Sequence, residues 1–163
     1  MPARGELGPE AAGGLVVLSP AVAPDELPPV HRLCVRALTA GGRRGRLGVR
    51  QLTDFAGEIA TGEQPLLGSF LAGRLLGALD PSDAFHRQLA LTALAFLDHG
   101  RRLDQTAAAL FTHPNTVRYR LGRHRQITGE PPADATSGPL DALHWWWALT
   151  TWLGPDREAP FTD

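Results

Sequence analysis

The chain has 163 residues, enough for one ordinary domain or one domain with a small appendage, and it is 43% hydrophobic and 20% charged. That balance belongs to a globular protein and excludes a disordered one. The net charge is −1, so no global field drives the chain toward nucleic acid, but the charge is unevenly spread. Residues 101–125 hold six Arg against one acid, Asp104, and a second basic run extends from Arg32 to Arg50 with no acid inside it. All sixteen basic residues are Arg. One cysteine, Cys34, leaves no internal disulfide and fits a reducing compartment. The first residues lack the apolar core of a signal peptide and no run reaches a membrane span, so the expectation is a cytoplasmic protein with no membrane partner.

Residues 1–14, rich in Gly, Pro and Ala, read as a flexible lead-in. Leu15–Leu18 is a short aliphatic and β-branched run closed by Ser19-Pro20, a strand signal. Asp25–Ala40 places Val30, Leu33 and Leu38 among polar residues. It predicts a helix that starts near Pro28-Pro29 and stops at Gly41-Gly42. Leu47-Gly48-Val49 predicts a second strand, and the segment 15–60 forms a small α/β unit, too small to close a sheet of its own.

From residue 61 to 154 the pattern is helical. Leu66–Leu79 repeats apolar residues at Phe70, Leu71, Leu75, Leu76 and Leu79, ending at Asp80-Pro81. Asp83 opens a helix over Ala84–His99 with Leu89, Ala93, Phe96 and Leu97 on one face and Gly100 as its cap. Glu130–Pro139 is a Pro/Gly/Ser-rich loop, Leu140–Leu153 a last helix, and residues 155–163 a flexible tail. The fold class that follows is mainly α: a helical bundle preceded by a small α/β remnant.

Residues 104–128 carry the chemistry. Asp104 is placed as the N-cap of a short helix kept thin by Thr106, Ala107, Ala108 and Ala109 and closed by Leu110. Phe111-Thr112-His113 makes the corner, and Pro114 starts a second helix at the one position where its missing N–H costs nothing. Val117, Leu121, His124 and Ile127 or Thr128 then share the inner face. Asn115, Tyr119, Gly122 and Gln126 point outward, flanked by Thr116, Arg118, Arg123 and Arg125. A short helix under a longer basic one is a helix-turn-helix, the device that enters a DNA groove. Asn can bridge an adenine edge, Thr can touch a thymine methyl or a phosphate, and Arg can chelate guanine or pair with phosphate. Asn115, Thr116, Arg118 and Tyr119 are therefore assigned to bases, and Arg101, Arg102 and Arg123 to phosphates. Arg120, nearer the buried edge, is assigned to a phosphate or a structural pair, and His113 to a cap or a DNA contact.

HPNTVRYRLGRHRQITG resembles the C-terminal helix-turn-helix of PucR/CdaR-type bacterial transcription regulators, whose pattern is similar to H-R-N-T-L-R-Y-R-L-R-R-I-E-E-L-T-G. The likeness runs back through AFHRQLALTALAFLDHG and LDQTAAAL and forward to the last helix. LVVLSPAVAPDELPPVHRLCVRAL resembles, less closely, the end of a degenerate cyclase-like domain. The resemblance implies a sequence-specific regulator of transcription acting on double-stranded DNA, as a homodimer or higher oligomer, with an effector that it does not name. The chain departs from the pattern at Gly122 and Pro114, where the family tends to have Arg, and at His124, where it has an aliphatic residue. Arg125 and Gln126 replace acids.

No enzyme is expected. The six His form no HxxxH or HExxH pair, one Cys cannot anchor a zinc site, and no G-x-S-x-G surrounds any of the four Ser. No cofactor and no metal is expected either. Trp145, Trp146, Trp147 and Trp152 lie on the last helix, and three consecutive Trp point in three directions. They either cap the bundle or supply a dimer surface. The second option keeps an alternative open: a truncated regulator that no longer binds DNA and works as a protein-interaction and dimerisation module.

Overall fold

The computed structural model describes residues 13–132 and 137–154, so all but the last two residues of the flexible lead-in assigned to residues 1–14, and the whole of the tail assigned to 155–163, lie outside the described residues. The chain divides into two compact units, Met1–Gln64 and Pro65–Asp163.

In the first unit, β1 (Leu15–Leu18) and β2 (Gly48–Gln51) form a two-stranded parallel sheet with Leu15 opposite Gly48 and Leu18 opposite Gln51. Parallel strands need a crossover, and α1 (Leu27–Gly42) supplies it. Its Pro28-Pro29 sit in the first turn, where absent N–H groups leave no bond unmade. The helix stops at Gly42, as the Gly41-Gly42 pair suggests. A Cβ at Gly41 would collide with the side chains of Leu15 and Phe55, so the glycine sets the close approach of helix to sheet. A 3-10 turn (Leu52–Phe55) and α2 (Ala56–Gly62), which the sequence left unassigned, complete the unit. Phe55, Leu52 and Ala37 form its buried centre, ringed by Leu15, Val17, Val30, Leu33, Cys34, Ala40 and Ile59.

The second unit is a five-helix bundle: α3 (Pro65–Leu76), α4 (Ala84–Asp98), α5 (Leu103–Ala109), α6 (Pro114–Thr128) and α7 (Pro139–Leu153). The first ends three residues before Leu79, which stays buried beyond the helix. The Asp83 carboxylate caps α4, accepting from the N–H groups of Phe85 at 2.7 Å and His86 at 3.2 Å. That helix ends at Asp98, and Gly100 and Arg101 both follow with positive φ, 63° and 64°. Arg101 closes the turn by donating its N–H to the Phe96 carbonyl at 2.8 Å.

The core joins Leu76, Leu79, Ala90, Ala93 and Leu94 to Trp145, Ala148, Leu149 and Leu153, so α7 is the helix against which the others are organised. Gly68 lets α3 lie close to it, since a Cβ there would come within 2.7 Å of the Trp147 indole nitrogen. The tryptophans all have seats in this unit. Trp145 is buried, Trp146 donates its indole N–H to Asp98 at 2.8 Å, Trp147 meets Gly68, and Trp152 packs at the core margin. None of the four is exposed.

Candidate nucleic-acid interface

Helices α5 and α6 build the corner. The first begins at Leu103 with Arg102 at the capping position, so Asp104 is not the N-cap expected of it. Starting two residues earlier puts Asp104 inside the first turn, where its charge still complements the helix dipole. Thr106, fully buried, donates its hydroxyl to the Arg102 carbonyl at 2.7 Å. Ala107 is buried too, and its carbonyl accepts the Thr112 N–H at 2.9 Å, which tightens the exit from α5. Leu110 is buried at the corner. Phe111 is 96% exposed with φ 50°, a left-handed conformation that sequence reading had no means to assign to a phenylalanine.

His113 caps α6: its Nδ1 accepts the Asn115 N–H at 3.2 Å, and Pro114 occupies the first turn as expected. The far end closes on Gly129, φ 84°, whose N–H reaches the Arg125 carbonyl at 2.8 Å. The inner face is the one the spacing predicts. Val117 and His124 are fully buried, and Leu121 and Ile127 pack against the core. His124 meets Trp145 edge to face at a centroid distance of 5.5 Å, and its Nε2 has no hydrogen-bond partner. Burial pushes its pKa down from 6.5 to about 4, so the ring is neutral at physiological pH.

The outer face presents Asn115, Arg118, Tyr119, Gly122, Arg123, Arg125 and Gln126 to solvent, with Thr116 half-buried beside them. Two hydrogen bonds organise it. Arg118 donates to the Asn115 side-chain oxygen at 2.7 Å, and Arg123 donates to the Gln126 side-chain oxygen at 2.7 Å. Arg120 is half-buried, and desolvation lowers its pKa, in keeping with a position at the edge of the buried face. Arg102 is exposed at the start of α5 and His113 at the start of α6. Arg101 lies differently: its guanidinium donates to the Ser137 carbonyl at 3.2 Å, which ties it to the segment preceding α7. Gln126 reads from sequence as outward-facing but is given no DNA contact there; its i, i+3 spacing from Arg123 is the signal that marks the pair.

The other basic run does not form a comparable surface. Arg44 and Arg46 both meet Glu58, at 3.1 and 2.9 Å, Arg36 pairs with Glu63, and Arg46 also lies over the Phe55 ring at 5.1 Å. Much of that positive charge is spent inside its own unit. Among the described residues no group of three or more His, Cys, Asp or Glu is placed to hold a metal ion, and no helix is long and apolar enough to cross a membrane.

A short helix, a tight corner and a longer helix with a polar, Arg-rich outer face define a helix-turn-helix domain. Residues 89–149 match the model of the PucR C-terminal helix-turn-helix domain. The chain is 39% identical over 84 residues to the transcriptional activator PmfR of Paenarthrobacter nicotinovorans, covering 52% of this chain and 17% of that protein. It is 38% identical over 79 residues to an uncharacterised protein from the pkwA 5' region of Thermomonospora curvata, covering 48% of this chain and 42% of the other. The chain thus spans less than half the length of these curated relatives. The crystal structure of a regulator of polyketide synthase expression from Bifidobacterium adolescentis matches at 28% identity and a TM-score of 0.38, covering 72% of this chain and 47% of that one.

Proposed function

We propose that this chain is a sequence-specific, DNA-binding regulator of transcription and not an enzyme. The observation that carries the reading is the outer face of α6: a solvent-exposed Asn, Tyr, Gln and Arg surface that begins directly behind a capped corner. In this reading α6 lies in the major groove with its first two turns against base edges. Asn115, Thr116, Arg118 and Tyr119 face bases, and Arg102 and Arg123 face phosphates. Arg120 takes a phosphate at the groove edge, and His113 holds the helix start against the backbone. Arg101 reaches phosphate only by leaving the Ser137 carbonyl. The protein acts in the cytoplasm, as a dimer that reads half-sites about one helical turn apart. The PucR family match and the resemblance to PmfR support this reading over that of an interaction module, and the seated tryptophans give the latter no exposed surface.

The test is selection of genomic DNA fragments retained by the purified protein at moderate salt, followed by sequencing. One enriched motif, lost in Asn115→Ala, is the expected result. Arg118→Ala is expected to weaken binding and change the base preference at one position. Arg123→Ala is expected to weaken all sequences alike and to reduce the salt slope by about 1. Absence of retained DNA, from a folded protein, would refute the reading.

A further inference from the structure

The geometry points to a recognition helix that reads guanine, and not adenine, at the position facing Asn115 and Arg118; this inference rests on the DNA-binding reading above. An asparagine recognises adenine by using both ends of its amide, accepting from N6 and donating to N7. Here the accepting end is already engaged: the Asn115 Oδ1 receives the Arg118 Nη1 donor at 2.7 Å. Beside it lie the Nδ2 group with its two hydrogens and the remaining guanidinium hydrogens of Arg118. The main chain holds this arrangement from behind, because His113 Nδ1 accepts the Asn115 N–H and Pro114 fixes the first turn.

With one of the two Asn115 Oδ1 lone pairs taken by Arg118, the pair offers a surplus of donors. Guanine is the base whose major-groove edge carries two acceptors, N7 and O6, while adenine and cytosine each present an N–H group that would face another donor. Thymine offers one acceptor and a methyl group, a poorer match to a guanidinium. The same construction recurs about two turns on, where Arg123 donates to the Gln126 Oε1 at 2.7 Å and leaves a surplus of donors outward. That second pair lies about 12 Å along the helix from the first, at 1.5 Å per residue, beyond the base edges that a helix entering by its N-terminus contacts. Surplus donors suit phosphate oxygens there. One rule, an amide oxygen engaged by an arginine three residues away, thus gives a guanine reader at one end and a phosphate clamp at the other.

The experiment uses the full chain in two parts. Selection and sequencing with wild type should enrich guanine at the contacted position, and with Arg118→Ala, which frees the Asn115 oxygen, the preference there should move to adenine. Replacing that guanine by 7-deazaguanine in the selected duplex removes N7 alone and should weaken wild-type binding by about tenfold, the scale of a lost bidentate contact. This second arm stands even if the variant binds too weakly to select. A wild-type motif with adenine at the contacted position, an unchanged base preference in Arg118→Ala, or indifference to 7-deazaguanine would overturn the guanine assignment while leaving the DNA-binding reading intact. Failure of wild type to enrich any motif would overturn both.

Discussion

His124 carries a pH-dependent liability whose size follows from its burial. The ring is fully buried on α6 against Trp145, and its Nε2 has no polar partner. Desolvation holds its folded pKa at about 4, against 6.5 in an exposed chain. The folded pKa is the lower of the two, so the unfolded state binds more protons between these values. Stability is therefore full above about pH 6.5 and is lost as pH falls toward 4. Between pH 7 and pH 5 this one group should cost about 2 kcal/mol, at 1.36 kcal/mol per pKa unit. His124→Leu removes both the titration and the orphaned nitrogen at similar volume. It should gain about 1 kcal/mol at pH 7 from the latter alone, and about 3 kcal/mol over wild type at pH 5. The assay is urea unfolding of both proteins at the two pH values, followed by tryptophan fluorescence, which reports the helical unit because all four Trp lie on α7. An equal difference between variant and wild type at both pH values would refute the reasoning.

Other substitutions test the remaining supports. Asp83→Ala removes the acceptor for two N–H groups at the start of α4 and should lower stability by about 1 kcal/mol in the same unfolding assay. Gly68→Ala puts a Cβ 2.7 Å from the Trp147 indole nitrogen and 2.5 Å from the Thr151 hydroxyl, and should cost about 1–3 kcal/mol with a shift in tryptophan emission. Gly122→Arg meets no neighbour at its Cβ; it should raise thermal stability through about 1 kcal/mol of helix propensity and steepen the salt dependence of DNA binding. A variant that is more stable yet binds DNA less tightly would show instead that the glycine admits the duplex to the helix backbone.

The corner was legible because its signals are local. A proline in a first turn, small residues before it and an apolar spacing of three and four each act within a few residues, and together they place Val117 and His124 inward and Asn115 outward. What failed was what depends on distant partners. Asp104 had the right residue type for a cap, but α5 starts two residues earlier, just after the turn that Gly100 and Arg101 make. Gly41 reads correctly as part of a helix stop, but its packing role appears only once the Leu15 and Phe55 side chains that need its missing Cβ are in view. The Trp run could not be assigned from periodicity, since its seats are supplied by Asp98, Gly68 and His124 from three other helices. Arg101 looked like a member of one basic surface, and only the fold shows it turned to Ser137.

The anchoring of α6 bears on two of its departures from the family pattern, His124 and Gly122. Only Val117 and His124 are fully buried on this helix, so its hold on the bundle is thin for its length. An aliphatic residue at 124 would bury more favourably, but the histidine keeps the edge-to-face contact with Trp145 and thereby links α6 to α7. At Gly122 the opposite holds: the position is exposed and touches nothing, so the change costs helix propensity without disturbing the core. Neither of these two reaches the first turn of α6, where a third departure, Pro114, starts the helix. The His113 cap, Pro114 and the Asn115–Arg118 pair lie a full turn or more from both, and they depend on the corner, not on the middle of the helix. The base-reading end is thus held by interactions that positions 122 and 124 leave untouched, which is why weakened packing at 124 should appear in stability before it appears in sequence preference.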